Sequence, residues 1–420
     1  MRVALRIRGR VIEVTGSGVR VRLPAVGLGQ MLSIQRGRSR VQARVVGFKG
    51  HDAWALPYAE PTGLGVGAEV VALDGVPSLR CSESVLGRIL DGRGRPADGG
   101  RPIDGPPWAI DRSPPDPLHR RPIEVPLFCG VRAIDGLLTL GRGQRIGLFA
   151  EAGVGKTALL AQMARYAEAD VVVCGLVGER SREIRDFVEH ALEAKTRSRT
   201  VTVYACSDSP AVMRRDAASV ATSVAEWFRA RGANVLLLMD SLTRVARAQR
   251  EIGLAAREPP TRQGYPPSVF AELPRLVERA GTDRAGTITA LYTVLVAADA
   301  TDDPVADEIR GLLDGHIVLN RSLAERCHFP AIDILASVSR LMRRLVSEEH
   351  AAAAAQLRKI TTDWRDAEEL VRLGAYVSGS DPDIDRAIQK HPEVLRFLRQ
   401  SSHELTPADE TRRLLLDAAS

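Results

Sequence analysis

One segment constrains the fold of this chain more than any other. Residues 150–157 read AEAGVGKT, directly after the apolar run RIGLFA and directly before ALLAQMARYA, which has the composition of a helix. A strand, a glycine-rich loop and a helix in this order predict a phosphate-binding loop. Glycines let backbone N–H groups turn towards phosphate oxygens, and the helix N-terminus adds partial positive charge. The sequence therefore predicts an α/β domain that binds a nucleotide.

The loop also predicts which groups touch the ligand. Lys156 is expected to reach the β- and γ-phosphates of ATP and to take part in catalysis, and the Thr157 hydroxyl is expected to ligate Mg²⁺. Ala150 stands where such loops usually begin with glycine. The predicted nucleotide-binding residues of the loop are Ala150, Glu151, Ala152, Gly153, Val154, Gly155, Lys156 and Thr157.

Two carboxylates follow buried strands elsewhere in the chain. The run NVLLLMD ends at Asp240, and ligands of open parallel sheets bind at the carboxyl ends of the strands. We therefore expect Asp240 to bind the nucleotide and to hold Mg²⁺ through a water molecule. Glu179 and Arg180 follow the run VVVCGLV. A carboxylate at this position can polarise an attacking water, although the same residues would also suit a charged helix N-terminus.

Patterning divides the chain into three regions. Residues 1–75 contain short alternating runs separated by Gly and Pro, which favours a small β-barrel. Residues 76–126 are rich in Pro and Gly, and we interpret them as an ordered connector, with a disordered linker as the alternative. From residue 130 to about 345, apolar runs alternate with amphipathic helices, as in a mainly parallel sheet. The predicted domains are 1–75, 76–345 (connector and ATPase core) and a helical domain, 346–420.

Composition limits the possible classes of protein. The 420 residues allow two or three domains, and the five cysteines are widely spaced without a CxxC motif, which favours a reducing compartment. No apolar run approaches the roughly 18–20 residues of a membrane span, and the N-terminus does not resemble a signal peptide. The net charge is +6, but it comes from evenly spread arginines. We therefore expect a cytoplasmic protein that does not bind nucleic acid.

Motifs along nearly the whole chain resemble the type III secretion ATPases of virulence injectisomes and bacterial flagella, relatives of the catalytic subunits of rotary ATP synthases. The markers include LGRILDGRGRP (86–96), VGERSREIRDFVE (177–189), LLLMDSLTRVARAQREIGLA (236–255) and LGAYVSGSDPDIDRAI (373–388). The resemblance implies a RecA-like P-loop core with an N-terminal small β-barrel and a C-terminal helical domain. It also implies ATP hydrolysis in a homohexameric ring that releases chaperones from exported substrates and unfolds those substrates.

The resemblance assigns roles that spacing alone cannot. Glu179 falls at the carboxylate that activates water, and Arg180 at its phosphate-sensing neighbour. Arg340 falls at the arginine finger that reaches a neighbouring subunit's ATP. Phe329 falls at the aromatic residue that packs on adenine, where Tyr is more usual. The chain departs from the family pattern at Cys327, where Gly is usual, and in the segment AADATDDP (297–304).

The resemblance also implies partners and a location. These are secretion chaperones, exported substrates, central stalk-like and peripheral regulator subunits and, indirectly, the membrane export gate, at the inner face of the cytoplasmic membrane. The segments ARAQREIGLA and PPTRQGYPPS resemble the injectisome branch more than the flagellar one. The sequence begins at the first barrel strand, without the helical segment that often precedes this strand in the family. Docking of regulator subunits at the N-terminus is therefore a weaker expectation than the other partners.

Three other functions remain open at this point. A rotary ion-pump catalytic subunit shares the barrel, the core and the helical end. An RNA translocase of the RecA class would need aromatic stacking platforms on the barrel, where only Phe48, Trp54 and Tyr58 are aromatic. A non-catalytic ring subunit would tend to lack the water-activating carboxylate, and Glu179 argues against it.

Overall fold

The N-terminal strands close into a barrel. The computed structural model describes residues 7–296 and 303–420, so most of the segment 297–304 lies outside the described residues. Six antiparallel strands pair in the order β1-β2-β5-β4-β3-β6, and β6 closes on β1. Their bounds are β1 Arg8–Val14, β2 Val19–Arg22, β3 Met31–Arg36, β4 Ser39–Lys49, β5 Asp52–Pro57 and β6 Glu69–Ala72. Alternate apolar side chains such as Val19, Leu32 and Ile34 fill the interior. Trp54 and Tyr58 are buried, whereas Phe48 is exposed.

The connector is ordered in the structure. It contains four short strands and two 3₁₀ turns, Glu83–Val85 and Pro117–His119. The strands are β7 Ser78–Arg80, β8 Ile89–Asp91, β9 Pro107–Ala109 and β10 Pro126–Leu127. Strand β7 pairs with β9, and β8 joins the edge of the main sheet with Leu90 fully buried. The connector thus forms part of the hydrophobic core despite its many prolines.

The central region is built on a nine-stranded sheet. Its further strands are β12 Arg145–Ala150, β13 Val171–Glu179, β14 Thr200–Cys206, β15 Asn234–Asp240, β16 Gly281–Thr282, β17 Thr287–Leu295, β18 Gly315–Leu319 and β19 Val338–Ser339; β11, Leu140–Gly141, pairs separately with β10. The order is β19-β18-β12-β17-β15-β13-β14-β8, with β16 beside β17. Seven strands, from β18 to β8 in that order, are parallel, which places their carboxyl ends at one edge. All nine residues of β13 are buried, as expected for a sheet covered on both faces.

Helices cover this sheet and continue beyond it. The helices of the central region are α1 Arg132–Leu137, α2 Lys156–Tyr166, α3 Ser181–Asp186, α4 Ala194–Ser198, α5 Ala211–Arg229, α6 Leu242–Ala255, α7 Pro267–Glu278, α8 Pro304–Leu312, α9 Arg321–Glu325 and α10 Met342–Leu345. A π-helical turn, Phe187–Ala191, follows α3, and a 3₁₀ turn, Arg262–Gly264, precedes α7. Helix α5 packs against β13, β14 and β15.

Three C-terminal helices complete the molecule: α11 Glu348–Arg372, α12 Pro382–Leu398 and α13 Ala408–Ala419. The Asp381 carboxylate accepts hydrogen bonds from the first N–H groups of α12 and so caps it. Leu357, Phe397 and Leu415 belong to the same buried cluster as the side chains of α2. In the described part of the chain, no helix has the length and apolarity of a membrane span. The predicted fold class, a RecA-like P-loop core between a small β-barrel and a helical domain, is confirmed.

Candidate nucleotide-binding site

The glycine-rich loop lies where the sequence predicted it, between the end of β12 and the start of α2. Gly153 has a φ of +83° and Gly155 a φ of +95°, which side chains with a Cβ rarely adopt. Thr157 lies exposed in the first turn of α2. The first N–H groups of a helix have no partner inside the helix, so this turn presents donors to an anion. Glu151, within the loop, is held by Arg321, whose Nε donates to Glu151 Oε2 at 2.7 Å.

Three charged side chains from separate elements meet beside the loop. Lys156 Nζ lies 2.6 Å from Asp240 Oδ1 and 3.5 Å from Glu179 Oε1. Asp240 and Glu179 end neighbouring parallel strands, β15 and β13, and therefore emerge at the same edge. The hydroxyl of Thr293, on β17, donates to Asp240 Oδ1 at 2.7 Å and fixes that carboxylate. The structure thus brings Lys156, Glu179 and Asp240 together, as the sequence predicted.

Glu179 has the environment of a group whose protonation is tuned. Burial, the charge of Asp240 and a hydrogen bond with Glu183 raise the pKa of Glu179 to about 7, against the lowering effects of Lys156 and Arg244. Arg244 Nη2 donates to Glu179 Oε2 at 3.1 Å, and the same guanidinium also donates to the Gly178 carbonyl. The other oxygen, Oε1, is buried and accepts no hydrogen bond from the described residues. A carboxylate with one oxygen anchored by a hydrogen bond and the other available as an acceptor is suited to accept a proton from water.

The donor set fits Mg²⁺ that arrives with a nucleotide. Magnesium prefers oxygen ligands and is usually held by one or two protein groups together with substrate phosphates. The Thr157 hydroxyl and, through water, the Asp240 carboxylate would supply these protein ligands. Among the described residues, no group of three or more His, Cys, Asp or Glu side chains could hold a metal ion without further ligands. The unsatisfied Oε1 of Glu179 offers a further acceptor in the same space.

A cavity of about 330 Å³ lies next to the loop. A Cβ placed on Gly155 would lie 3.7 Å from two ring atoms of Phe329, so the aromatic ring borders the loop directly. Phe329 is 45% exposed, which leaves a ring face open for a planar ligand. The opposite wall is formed by C-terminal residues, namely Gln400, Ser401 and Ser402. This cavity has the place and the aromatic wall that an adenine ring requires.

The loop that carries Phe329 also contains Cys327, one of the departures from the family pattern. Cys327 has a φ of +54°, in the left-handed region that favours glycine. A glycine at this position would adopt the same conformation without strain. The turn is nevertheless held, because the N–H of His328 donates to the Leu323 carbonyl at 2.9 Å. Cys327 therefore keeps the backbone path that places Phe329 beside Gly155.

Two predicted arginines do not join the cluster. Arg180 directly precedes α3 and is exposed, and its side chain makes no hydrogen bond or ion pair within the described ranges. Arg340 is exposed after β19, and its N–H donates to the Asp314 carbonyl before β18. The Asp314 carbonyl therefore lies at the end of the sheet where β12 begins, at Arg145. The glycine-rich loop lies at the other end of β12, after Ala150. At about 3.3 Å per residue, the two ends of β12 lie roughly 17 Å apart. Arg340 therefore lies away from the loop of its own chain.

Sequence reasoning missed three contributions to this site. Arg244 lies four residues after Asp240, but no feature of the sequence distinguishes it from the other arginines. Thr293 sits within an apolar strand run and carries no motif. Gln400–Ser402 are more than 240 residues from the loop, and their position depends on how α12 packs against the core.

The pH dependence of turnover should reflect Glu179. Because the base must be ionised, kcat/KM is expected to fall as the pH falls through about 7. Replacing Arg244 by Gln removes a cation that favours ionised Glu179, so the acid limb should move to higher pH. Arg247→Gln, on the exposed side of the same helix, is the matched control. The base assignment fails if the acid limb is identical in the wild type and Arg244→Gln.

Phe329 should contribute to nucleotide affinity rather than to chemistry. Phe329→Ala is expected to raise KM for ATP by about tenfold, since stacking on an aromatic ring contributes ~1–3 kcal/mol per base. Phe329→Tyr keeps the ring and should leave KM within about twofold of the wild type. Steady-state kinetics measure both variants. An unchanged KM in Phe329→Ala would place adenine elsewhere.

Comparison with known proteins shows sequence similarity along nearly the whole chain. Residues 130–339 match the ATP synthase alpha/beta family, nucleotide-binding domain, and residues 346–417 match the T3SS EscN ATPase C-terminal domain. The type 3 secretion system ATPase of Xanthomonas euvesicatoria is 47% identical over 410 residues, with 97% of this chain and 93% of the relative covered. The flagellum-specific ATP synthase of Pseudomonas aeruginosa is 48% identical over 379 residues, with 90% and 84% covered.

Solved structures show the same architecture. The assembled ATPase EscN from the type III secretion system of enteropathogenic E. coli superposes with a TM-score of 0.94 at 43% identity, over 98% of this chain and 100% of that chain. EscN in complex with its central stalk EscO superposes with a TM-score of 0.91 at 42% identity, with the same coverage.

Proposed function

Because the chain belongs to the family of type 3 secretion system and flagellar ATPases, we propose that it hydrolyses ATP to drive protein export from a bacterial cell. The observation that supports this most strongly is the meeting of Lys156, Glu179 and Asp240 beside the glycine-rich loop. Hydrolysis needs a group that orients or activates water beside the bound phosphates, and Glu179 can supply it.

The residues of this chain divide the work of hydrolysis. Loop N–H groups and Lys156 would bind the phosphates, with phosphate oxygens competing with Asp240 for the ammonium group. Magnesium, when bound with the nucleotide, neutralises charge on the phosphates. Glu179, anchored by Arg244, would orient a water and accept its proton. Arg180, next to Glu179, has an unpaired side chain in the described structure and would sense the terminal phosphate.

In the proposed ring, a second subunit would complete the site. Arg340 lies at the opposite end of β12 from the loop of its own chain, so it would stabilise charge on the phosphates held by a neighbour. We propose a homohexamer, in line with the assembled state of EscN, and a central stalk partner, in line with its complex with EscO. The proposed domains are 1–75, 76–345 and 346–420.

The proposed role extends to the export apparatus. We propose that turnover around the ring detaches secretion chaperones from substrates and unfolds the substrates, at the inner face of the cytoplasmic membrane. Peripheral regulator subunits and, indirectly, the export gate would be its other partners. The injectisome branch is proposed over the flagellar one on the segments 246–255 and 259–268.

Complementation of a bacterial strain that lacks this protein tests the proposal. Glu179→Gln should keep nucleotide binding, because the site stays filled by a group of similar shape, but should lose hydrolysis and secretion together. Glu189→Gln, an exposed carboxylate after α3, is the matched control and should restore secretion fully. Secretion that Glu179→Gln restores as well as the wild type would refute an energy-coupling role. Loss of motility instead of injectisome secretion would assign the chain to the flagellar branch.

A further inference from the structure

A second cavity, of about 370 Å³, lies between the nucleotide-binding region and the C-terminal helices. One wall is the segment 320–334, which includes the loop before Phe329, and the other is formed by α11 and α12. Apolar side chains line much of it, among them Leu323, Ile332, Ile334, Val394 and Leu398. Its volume is in the range of small-molecule sites, and the nucleotide-binding machinery described above does not use it.

A buried polar side chain in the cavity wall is unsatisfied. His328 is only 4% exposed, yet its Nε2 has no hydrogen-bond partner among the described residues. Burial, with the charges of Arg399 and His391, lowers the pKa of His328 to about 4, so the ring is neutral at physiological pH. A buried polar atom without a partner costs free energy, which a group placed in the cavity would recover.

A flat aromatic surface also borders the cavity. The rings of Trp364, on α11, and His391, on α12, stack with their centroids 3.9 Å apart and an interplanar angle of 17°. Both residues line the cavity, and Trp364 is only partly buried. Such a pair offers a rigid surface for a planar ring or its edge, at little cost in side-chain entropy because the two rings already hold each other in place.

The charges in the wall leave one cation uncompensated. Three arginines and two carboxylates line the cavity. Arg326 Nη1 lies 2.8 Å from Glu368, and Arg365 Nη2 lies 3.0 Å from Asp333, so these four charges cancel in pairs. Arg399 is exposed and has no ion pair within residues 7–296 and 303–420. The cavity therefore combines an apolar interior, an aromatic wall, one neutral histidine and one free guanidinium group.

We propose that this cavity is a regulatory site for a small aromatic anion, such as an aromatic carboxylate. Its ring would lie against Trp364 and the apolar wall, its anionic group would bind Arg399, and a polar atom would bond His328 Nε2. Guanidinium groups bind carboxylates well because of their planar, two-pronged geometry.

Occupancy of the cavity should alter nucleotide affinity. His328 directly precedes Phe329, and Arg399 directly precedes Gln400; Phe329 and Gln400 line the nucleotide cavity. The two segments are also joined, because the N–H of Gln400 donates to the Phe329 carbonyl at 2.8 Å. A ligand that moves His328 or Arg399 thus moves both walls of the adjacent cavity. This coupling rests on the proposed function, whereas the binding itself does not.

Calorimetry on the full chain tests binding with two probes, indole-3-acetate and its neutral analogue indole-3-acetamide. The acid should bind, and the amide should bind about tenfold more weakly, as expected when a charge-assisted hydrogen bond is lost. Arg399→Gln should remove the difference between the two probes, and Trp364→Leu should weaken both. Arg396→Gln, an exposed arginine of α12 outside the cavity, is the matched control. Equal binding of the acid by Arg399→Gln and the wild type, or no binding, would overturn the site.

The same titration in saturating Mg–ADP tests the coupling. The affinity for indole-3-acetate should change severalfold, and the probe should change the affinity for Mg–ADP by the same factor, because coupling is reciprocal. An unchanged affinity would overturn the regulatory role. Loss of probe binding in Phe329→Ala but not in Trp364→Leu would show that the probe occupies the nucleotide cavity. If Mg–ADP itself did not bind, the proposed function would fail, while probe binding without nucleotide would still support the site.

Discussion

Lys156→Ala is expected to abolish ATP turnover, with a fall in kcat on the order of a thousandfold or more, and to weaken nucleotide binding. The ammonium group is the only cation that the structure places against both Asp240, at 2.6 Å, and Glu179, at 3.5 Å, among the residues described. Without it, Asp240 loses its cation and Glu179 keeps only Arg244, so two carboxylates repel the phosphates. Steady-state ATPase rates and calorimetry with Mg–ADP measure the two effects.

Two variants make this result specific. Lys195→Ala removes an exposed lysine of α4 and should leave both rate and affinity unchanged. Lys156→Arg keeps the charge but replaces a compact ammonium with a planar group that does not fit the same position, so it should remain largely inactive. Turnover within tenfold of the wild type in Lys156→Ala would contradict the phosphate-binding role of the loop.

Arg340→Ala is expected to reduce turnover of the assembled protein by about a thousandfold, the effect typical of an arginine finger, without changing nucleotide affinity. Arg340 lies about 17 Å along β12 from the loop of its own chain, so we expect any nucleotide it contacts to be held by a neighbour. The wild-type rate per subunit should therefore rise steeply with protein concentration, whereas the variant should stay slow throughout. ATPase rates across a dilution series, with mass photometry of the same samples, provide the data.

Arg343→Ala is the control for this experiment, since Arg343 is an exposed arginine three residues further on. It should behave as the wild type. If Arg340→Ala slowed a dilute monomer as much as the assembled protein, Arg340 would act within its own chain. If assembly itself failed in Arg340→Ala, the residue would be structural at the subunit contact.

Local patterns in the sequence were enough to predict the barrel, the glycine-rich loop and the helical end. Alternating residues with Gly and Pro between them specify short strands, and the loop needs its glycines within a few residues of each other. Asp240 and Glu179 were predictable for a related reason. Each ends an apolar run, and parallel strands bring their carboxyl ends to one edge.

The remainder depends on contacts between distant parts of the chain. Gln400–Ser402 form a wall of the nucleotide cavity only because α12 packs into the core that α2 shares. The raised pKa of Glu179 results from burial and from Asp240 and Glu183 on two other elements, a proximity that no linear pattern identifies. Phe329 and Arg340 were identified through family resemblance. The structure places Phe329 beside Gly155 and Arg340 at the far end of β12 from its own loop, and the roles of both residues stay predictions.

The most direct test of a site shared between subunits is to mix two inactive variants. The Lys156→Ala subunit retains Arg340, and the Arg340→Ala subunit retains an intact phosphate-binding loop. An interface that joins this loop to this arginine therefore has every group of the proposed site. In an equal mixture about a quarter of the interfaces should have this arrangement in a cyclic ring, and ATPase activity should reappear well above that of either variant alone. Activity no greater than the sum of the separate variants, in samples shown by mass photometry to co-assemble, would contradict the account.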